Sequence, residues 1–459
     1  MGKEVSIIAK SERSMRKKIT SGNILPEENN RKKEKPGQKD IRWERLDNTA
    51  HLFPAIAGEN MSNVYRISVT LSELIEADIL QQALDIVLPK FDGFNLRLRK
   101  GAFWYYFEEN GNSAPRVEEE TNFPCRYIYP NKNNNYLFRV TYYKYRINLE
   151  VFHVLTDGMG GINFLRELTY QYLRIRHPEL AEQVSDSLTS DTSMNREDSF
   201  LKNYKQAAKS GYKKQRAFLV KGEKLRQGEF GVMHGYMKIP ELKAVCKQYG
   251  VSINEYLVSV FAWSIYMECL KGMPSKLPIR VAVPVNLRPY FGSNTTKNFF
   301  AMVSAEFHPT RENYTFEEVL HMIKESLRNQ INKEHLEKLF SYNVSNEKIW
   351  IARAVPLWIK NIAMRYVYNA SALANTSTVT NIGNVSIAEP YQPYVEMFHA
   401  FLAMSKGQNI KGTICSYKDT LAFSFSYILK DASIQRAFFR KLAADGITVE
   451  IDSNGVNYE

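Results

Sequence analysis

The sequence predicts an α/β fold, an α+β two-layer sandwich in which two lobes with mixed sheets are joined by a crossover. Strand-like and helix-like segments alternate irregularly along the 459 residues, and tight turns join several neighbouring strands. The same pattern restarts near residue 231, after a basic segment. Because neither GxGxxG nor GxxxxGK[ST] occurs, a doubly wound nucleotide-binding fold has no support.

These patterns divide the chain into four segments. Residues 1–40 are polar and charged, and we expect a disordered basic tail. Residues 41–200 are predicted to form the first lobe, and residues 201–230 a basic crossover linker. Residues 231–459 are predicted to form the second lobe.

Two short segments carry the positive charge of the chain. The formal net charge is +12, and residues 1–40 contain eleven Lys and Arg against six acids. Residues 202–226 contain nine against one, so the rest of the chain is close to neutral. A nucleic-acid-binding face is therefore not expected, whereas a weak contact of residues 1–40 with an anionic membrane is left open.

The cysteines point to a cytoplasmic protein without a structural metal. Cys125, Cys246, Cys269 and Cys415 form neither a CxxC pair nor a zinc-like spacing with histidine. We expect them to be buried, reduced thiols. The first 25 residues lack the apolar core of a secretory signal, and the longest apolar run is too short to span a bilayer.

The first lobe is predicted from strands that pair in sequence order. Residues 94–100 and 102–110 resemble a hairpin around Gly101, and residues 136–143 and 147–154 resemble a second pair of strands. Residues 77–91 and 161–176 have apolar side chains at helical spacing.

The second lobe begins with a strand at residues 231–239 and a helix that ends at Gly250. Ser252 and Glu255 form a capping-box pattern for a long apolar helix, and Thr315 and Glu318 open another. Further strands are predicted near residues 277–285, 299–307, 377–387, 397–403, 410–417 and 420–428. A helix near residues 431–444 and a short strand end the chain.

The segment "INLEVFHVLTDGMGGINFL" contains the strongest functional signal. Ile147, Leu149, Val151 and His153 share a strand parity, so the histidine is expected at the end of an apolar row. Burial there would keep the imidazole neutral and able to accept a proton, which a general base requires. A satisfied core histidine is the alternative, but HxxxDG arises by chance in roughly one such chain in a hundred.

This motif resembles the HxxxDG motif of the CoA-dependent acyltransferase superfamily. That superfamily includes chloramphenicol acetyltransferase, plant BAHD acyltransferases, nonribosomal condensation domains and alcohol acetyltransferases. The resemblance extends over most of residues 41–459, through "PVNLRPYFGSNTTKNFF" and "VTNIGNV". It is strongest for the alcohol acetyltransferase-like group, and it implies two chloramphenicol acetyltransferase-like lobes.

The resemblance also implies a mechanism. His153 would deprotonate an acceptor hydroxyl or amine, which would attack the thioester of acyl-CoA without a covalent enzyme intermediate. Asp157 would be structural and would pair with Arg288, while Gly158 would leave room for the substrates. The site would lie in a tunnel between the lobes, with acyl-CoA as co-substrate and no bound cofactor.

Other polar residues of the motifs have weaker assignments. Thr380 and Asn381 are candidate donors to the oxyanion, with ordinary strand and turn roles as the alternative. Asn294 and Asn298 bracket a turn, and turn chemistry is their expected role. His51 is interpreted as structural, and the residues that bind CoA are unassigned.

Two departures from the family pattern bear on the function. Condensation domains carry a second histidine before the motif, where this chain has Phe152. The DFGWG motif of BAHD enzymes is absent. We therefore expect an O-acyltransferase that moves an acyl group, expected to be acetyl, to a small or lipidic alcohol. A condensation-type enzyme with an amine acceptor or carrier-protein donor stays open, as does a non-catalytic ligand-binding relative.

Overall fold

The computed structural model describes residues 43–183, 197–205, 216–347 and 354–456. The predicted tail at residues 1–40 lies outside the described residues, as does part of the predicted linker. Residues 42–459 cluster as one compact unit, and the predicted boundaries between lobes remain predictions.

The described strands are listed here in chain order: β1 (Trp43–Arg45), β2 (Val64–Leu71), β3 (Leu96–Lys100), β4 (Tyr105–Glu109), β5 (Glu118–Glu119), β6 (Phe138–Tyr143), β7 (Arg146–Phe152), β8 (Gly231–Lys238), β9 (Ile279–Asn286), β10 (Phe300–Phe307), β11 (Ser377–Val385), β12 (Val395–Leu402), β13 (Ile410–Tyr417), β14 (Thr420–Tyr427) and β15 (Val449–Ser453).

The described α-helices are α1 (Phe53–Ile56), α2 (Ala77–Val87), α3 (Gly158–Arg176), α4 (Ser199–Lys202), α5 (Ile239–Tyr249), α6 (Ile253–Leu270), α7 (Arg288–Phe291), α8 (Phe316–Gln330), α9 (Lys333–Glu347), α10 (Leu357–Ser371) and α11 (Ser433–Ala444). The predicted α/β class is confirmed, and so are the predicted hairpins, which pair as β3 with β4 and β6 with β7.

A five-stranded sheet in the order β12-β2-β7-β6-β5 organises the first half of the chain. Helices α2 and α3 cover one face of this sheet, because Ile67, Val69, Ile147 and Leu149 alternate toward them and are fully buried. The predicted apolar row of β7 therefore lies in the core. His153 follows directly after the last residue of β7, where the chain leaves the sheet.

A seven-stranded mixed sheet in the order β10-β9-β11-β13-β14-β8-β15 organises the second half. Strand β11 runs parallel to β9 and β13, and the other pairs are antiparallel. Helix α6 is apolar all round and buried, and its Phe261 contacts Phe425 and Phe438. The second half thus has its own aromatic core.

One strand of the second half completes the sheet of the first. Strand β12 pairs antiparallel with β2, so that His399 lies opposite Ser68 and Leu402 opposite Tyr65. The edge of the five-stranded sheet is therefore supplied from more than 300 positions further along the chain. A third small sheet, β1-β4-β3, lies within the first half.

Local signals set the helix ends as predicted. Ser252 with Glu255 and Thr315 with Glu318 both form reciprocal capping boxes, which satisfy otherwise unpaired backbone N–H groups. Gly250 ends α5 with a φ of 64°, a left-handed conformation that favours glycine. Within the described ranges, none of the helices has the length and apolar character that a bilayer crossing requires.

All four cysteines are free thiols. Cys125, Cys246 and Cys415 are buried as expected, whereas Cys269 is half-buried. The difference arises because Cys269 is the second-last residue of α6, where that helix leaves the core.

Candidate active site

His153 is the first residue after β7 and lies in an aromatic cage. Its ring stacks on Phe53 of α1, with centroids 4.8 Å apart and an interplanar angle of 22°. The edge of Tyr65 approaches from β2 at 5.2 Å, and Phe300 of β10 lies at 5.7 Å. The predicted water-poor position of the imidazole is therefore observed, and both halves of the chain build it.

The cage keeps the imidazole neutral. Burial lowers the pKa of His153 below its ordinary value of 6.5, although a hydrogen bond to its own backbone carbonyl, the Asp157 charge and Asn298 act in the opposite direction. Desolvation dominates because a charged ring would lose its hydration among aromatic side chains. A neutral ring is a proton acceptor at one nitrogen and a donor at the other.

Asn298 determines which nitrogen is the donor. The Nδ1 atom of His153 lies 3.0 Å from Oδ1 of Asn298, and an amide oxygen can only accept. The proton therefore resides on Nδ1 of His153, and Nε2 carries the free lone pair. Among the described residues, no group forms a hydrogen bond with Nε2 of His153.

Asp47 fixes the orientation of the Asn298 amide. Oδ2 of Asp47 accepts from Nδ2 of Asn298 at 2.9 Å and from its backbone N–H at 3.3 Å. Oδ1 of Asp47 accepts from the backbone N–H of Ala50 at 2.8 Å. Both carboxyl oxygens thus face donors, so the amide presents its own oxygen to His153. Burial raises the pKa of Asp47 to about 7, against the opposing effect of these hydrogen bonds.

We expect Asn298→Ala to change the tautomer of His153, whereas Asn294→Ala should not. The amide oxygen stabilises the Nδ1–H form by about 1 kcal/mol, so its loss should shift the tautomer ratio about fivefold. Asn294 is exposed in the same turn and provides the matched control. Long-range ¹H–¹⁵N NMR correlations of ¹⁵N-histidine-labelled protein report the tautomer. A wild-type spectrum with the proton on Nε2 of His153 would contradict the assignment.

Asp157 is the N-cap of α3 and also one partner of an ion pair. Its Oδ1 accepts from the backbone N–H groups of Met159 at 3.2 Å and Gly160 at 3.4 Å. Its Oδ2 accepts from the backbone N–H of Phe299 at 3.2 Å and lies 2.8 Å from Nη1 of Arg288. The ion pair that the resemblance implies is therefore present, and Asp157 does not contact the imidazole as a second catalytic carboxylate would.

Arg288 is held by backbone carbonyls in addition to Asp157. Its Nε donates to the carbonyl of Thr295 at 2.9 Å, and its Nη2 donates to that of Lys297 at 2.8 Å. The guanidinium thus ties the turn after α7 to the start of α3. A planar group with several donors suits this position better than an ammonium would.

Residues 295–299 hold the HxxxDG turn in place through hydrogen bonds. They provide the amide of Asn298 to His153 and the N–H of Phe299 to Asp157. Oγ1 of Thr156 also donates to the carbonyl of Thr296 at 2.7 Å. The turn chemistry predicted for Asn298 is therefore wrong, because its side chain bonds to Asp47 and His153 rather than within the turn.

The glycines of the motif serve close packing. Gly158 is the first residue of α3, and an added Cβ would meet the flexible end of Ile382 at 2.8 Å. At Gly160 an added Cβ would lie 1.9 Å from Oγ1 of Thr156, which leaves no room for a side chain. The steric requirement for glycine is therefore stronger at Gly160 than at Gly158, the position that the motif emphasises.

Strand β11 passes next to the start of α3, as the contact of Ile382 with Gly158 requires. Thr380 and Asn381 lie on this strand, and Asn381 accepts the N–H of Gly383 through Oδ1. Their proposed role toward an oxyanion stays a prediction.

Sequence reasoning missed Asp47, Phe53 and Tyr65. Tyr65 donates its hydroxyl to the carbonyl of Asp157 at 2.8 Å, and burial raises its pKa well above 10. Asp47 and Tyr65 are polar residues within or beside apolar segments, and Phe53 has no distinguishing signal in the sequence. The ring of His51 lies 5.5 Å from that of Trp104 in a tilted arrangement, and burial lowers its pKa to about 4, in keeping with the structural role predicted for it.

The fold places the chain in a structural class, the two-lobed fold that acyltransferases and condensation domains share. No protein-family model matches the chain, and no curated protein is similar in sequence. The likeness comes from solved structures that share 10–13% identity with this chain, and it establishes the fold.

Three of these solved structures cover nearly the whole described chain. Polyketide synthase associated protein 5 from Mycobacterium tuberculosis matches 87% of this chain and 96% of its own, with 13% identity and a TM-score of 0.57. The first condensation domain of the calcium-dependent antibiotic synthetase matches 89% and 99%, with 10% identity and a TM-score of 0.57. Trichothecene 15-O-acetyltransferase from Fusarium sporotrichioides matches 88% and 94%, with 10% identity and a TM-score of 0.55.

Proposed function

We propose that the protein is an acyltransferase that moves an acyl group, acetyl in the simplest case, from coenzyme A to the hydroxyl of a small or lipidic alcohol. The observation that carries the proposal is the state of His153. Its ring is neutral, its Nδ1 proton is committed to Asn298, and its Nε2 lone pair is free. A core histidine with no chemical role would not need a second residue, Asp47, to orient its partner.

The reaction follows from that lone pair. Nε2 of His153 takes the proton of the acceptor hydroxyl as its oxygen attacks the thioester carbonyl. A tetrahedral oxyanion forms, and its collapse breaks the carbon–sulfur bond. The imidazolium then returns the proton to the leaving thiolate, so that the products are an ester and free coenzyme A. The buried Asp157 charge lies near enough to His153 to favour the transient imidazolium.

Two features support an alcohol acceptor over an amine. Phe152 occupies the position where condensation domains carry a second histidine, and an O-acetyltransferase is among the proteins with this fold. Coenzyme A as donor, rather than a carrier protein, rests on the resemblance of the motif to the alcohol acetyltransferase-like group.

The proposal is tested by incubating the full chain with acetyl-CoA and a panel of alcohols and amines. Free coenzyme A should be quantified by chromatography, because the half-buried Cys269 of the protein would contribute to the signal of a thiol dye. Release that depends on an alcohol, together with the ester identified by mass spectrometry, is the expected result. Release with amines alone would point to a condensation-type enzyme, and no turnover with any acyl-CoA or acylated carrier would indicate a non-catalytic relative.

A further inference from the structure

Helix α10 presents one apolar face to solvent. Trp358 is 62% exposed, Ile362 61%, Tyr366 72% and Val367 63%. On a helical wheel they occupy one broad face, with Ile359 between them. Among the described residues, nothing covers this face. A surface helix of a globular protein normally buries such a face and exposes the opposite one.

The opposite side of the same helix packs on the protein, where Leu357 is buried and Met364 and Tyr368 are half-buried. Lys360 donates to the backbone carbonyl of Phe103 at 3.0 Å, and Arg365 donates to that of Ala55 at 2.5 Å. The ammonium of Lys360 also lies 3.3 Å from the centre of the Trp104 ring. The helix is thus attached through these side chains and through hydrogen bonds, and a second apolar face is left exposed.

The charge around the face is one-sided. Residues 357–371 contain Lys360 and Arg365 but no Asp or Glu. Near the end of the helix, Lys406 donates to Oδ1 of Asn369 at 2.8 Å. An apolar face that contains Trp and Tyr and is flanked by cations matches a helix lying in the interface of an anionic bilayer.

The size of the face argues against a protein partner. The helix has 15 residues, so it is about 22 Å long and about 10 Å wide, with a flat footprint of about 220 Å². A stable protein interface buries about 800 Å² on each partner. A single convex helix is too narrow for that, whereas insertion to a depth of about 5–10 Å among lipid headgroups needs no larger area.

We propose that α10 docks the protein on an anionic lipid surface, with Trp358, Ile362 and Tyr366 inserted among the headgroups. This inference does not depend on the proposed acyl transfer, since binding can be measured without turnover. It does connect with the site, because Arg365 bonds to α1, the short helix whose Phe53 stacks on His153. The docked surface would lie one helix away from the imidazole.

Co-sedimentation of the full chain with vesicles tests the proposal. Vesicles of phosphatidylcholine alone are compared with vesicles that also contain phosphatidylglycerol. The combined variant Trp358→Ser, Ile362→Ser, Tyr366→Ser should bind anionic vesicles about tenfold or more weakly than the wild type, because three anchors are lost. The matched control changes three exposed apolar residues elsewhere, Leu74→Ser, Ile86→Ser and Ile451→Ser, and should bind like the wild type.

Tryptophan quenching by brominated lipids provides a second measurement. Quenching in the wild type should fall in Trp358→Phe, because Trp358 is the tryptophan that enters the bilayer. Equal vesicle binding by the α10 variant and the wild type would overturn the proposal and would assign any binding to another basic segment, such as residues 1–40. A wild-type dimer that the α10 variant abolishes without vesicles would overturn it in favour of a second copy of the chain.

Discussion

Replacing His153 with alanine is expected to lower kcat for acyl transfer by about 10²–10⁴-fold while leaving the fold intact. General-base catalysis by a positioned side chain contributes a factor of that size, and no other described side chain at the site is placed to accept the acceptor proton. The variant should remain folded, although it loses the ring contacts with Phe53, Tyr65 and Phe300, so its urea midpoint should fall only modestly.

His321→Ala is the matched control for this experiment. His321 is an exposed residue of α8 that is far along the chain from the motif and lies near Glu325. Its replacement should leave kcat unchanged. A decrease in kcat of less than about tenfold in His153→Ala would show that the histidine is not the general base.

The pH dependence of kcat/KM provides an independent readout of the same group. Burial lowers the pKa of His153 below 6.5, so the neutral base persists at pH 6.5. Activity should be retained on descending to that pH and lost only as the pH falls through the lowered pKa. A decrease in kcat/KM with a midpoint near pH 7 would have another origin if it disappears in Asp47→Asn. The titrating group would then be Asp47, whose pKa is raised to about 7.

Breaking the Asp157–Arg288 pair is expected to be the most destabilising single change at the site. Removal of one partner of a buried pair costs about 3–5 kcal/mol of unfolding free energy, because the other charge is left unpaired. We expect Asp157→Ala to reach this range, since it also removes the N-cap of α3 and the acceptor for Phe299. Arg288→Met should cost less, because Asp157 would retain three backbone N–H donors.

Urea denaturation of both single variants and the double variant measures this coupling. The double variant should be more stable than the sum of the two single losses predicts, since the second change removes the charge that the first left unpaired. Glu334→Ala breaks the exposed pair with Lys338 and should cost no more than about 0.5 kcal/mol. Additive losses, or a cost of Asp157→Ala that matches this surface control, would show that the pair does not hold the turn.

Local patterns predicted most of the secondary structure but little of the site. Alternation identified β6 and β7, and capping residues identified the starts of α6 and α8, because these signals act between near neighbours in sequence. The contact of His153 with Asn298 joins residues 145 positions apart. No periodicity encodes such a contact, and Arg288 was anticipated only through the resemblance to a family.

Helix α10 was not predicted, and the reason is physical. Trp358, Ile362 and Tyr366 recur at helical spacing, but spacing does not tell which way a face points, so the exposed face of α10 follows only from the structure. Strands β1 and β5 were also missed, because three and two residues are too few for alternation to be recognised.

The pairing of β12 with β2 has a consequence for how the chain folds during synthesis. During synthesis from the amino end, β2 and β7 leave the ribosome long before residues 395–402 exist. Until then β2 presents a bare strand edge, whereas Asn298 and Phe300, which complete the surroundings of His153, are translated earlier. The imidazole can therefore acquire its tautomer once residue 298 has emerged, before β12 completes the sheet of the first half.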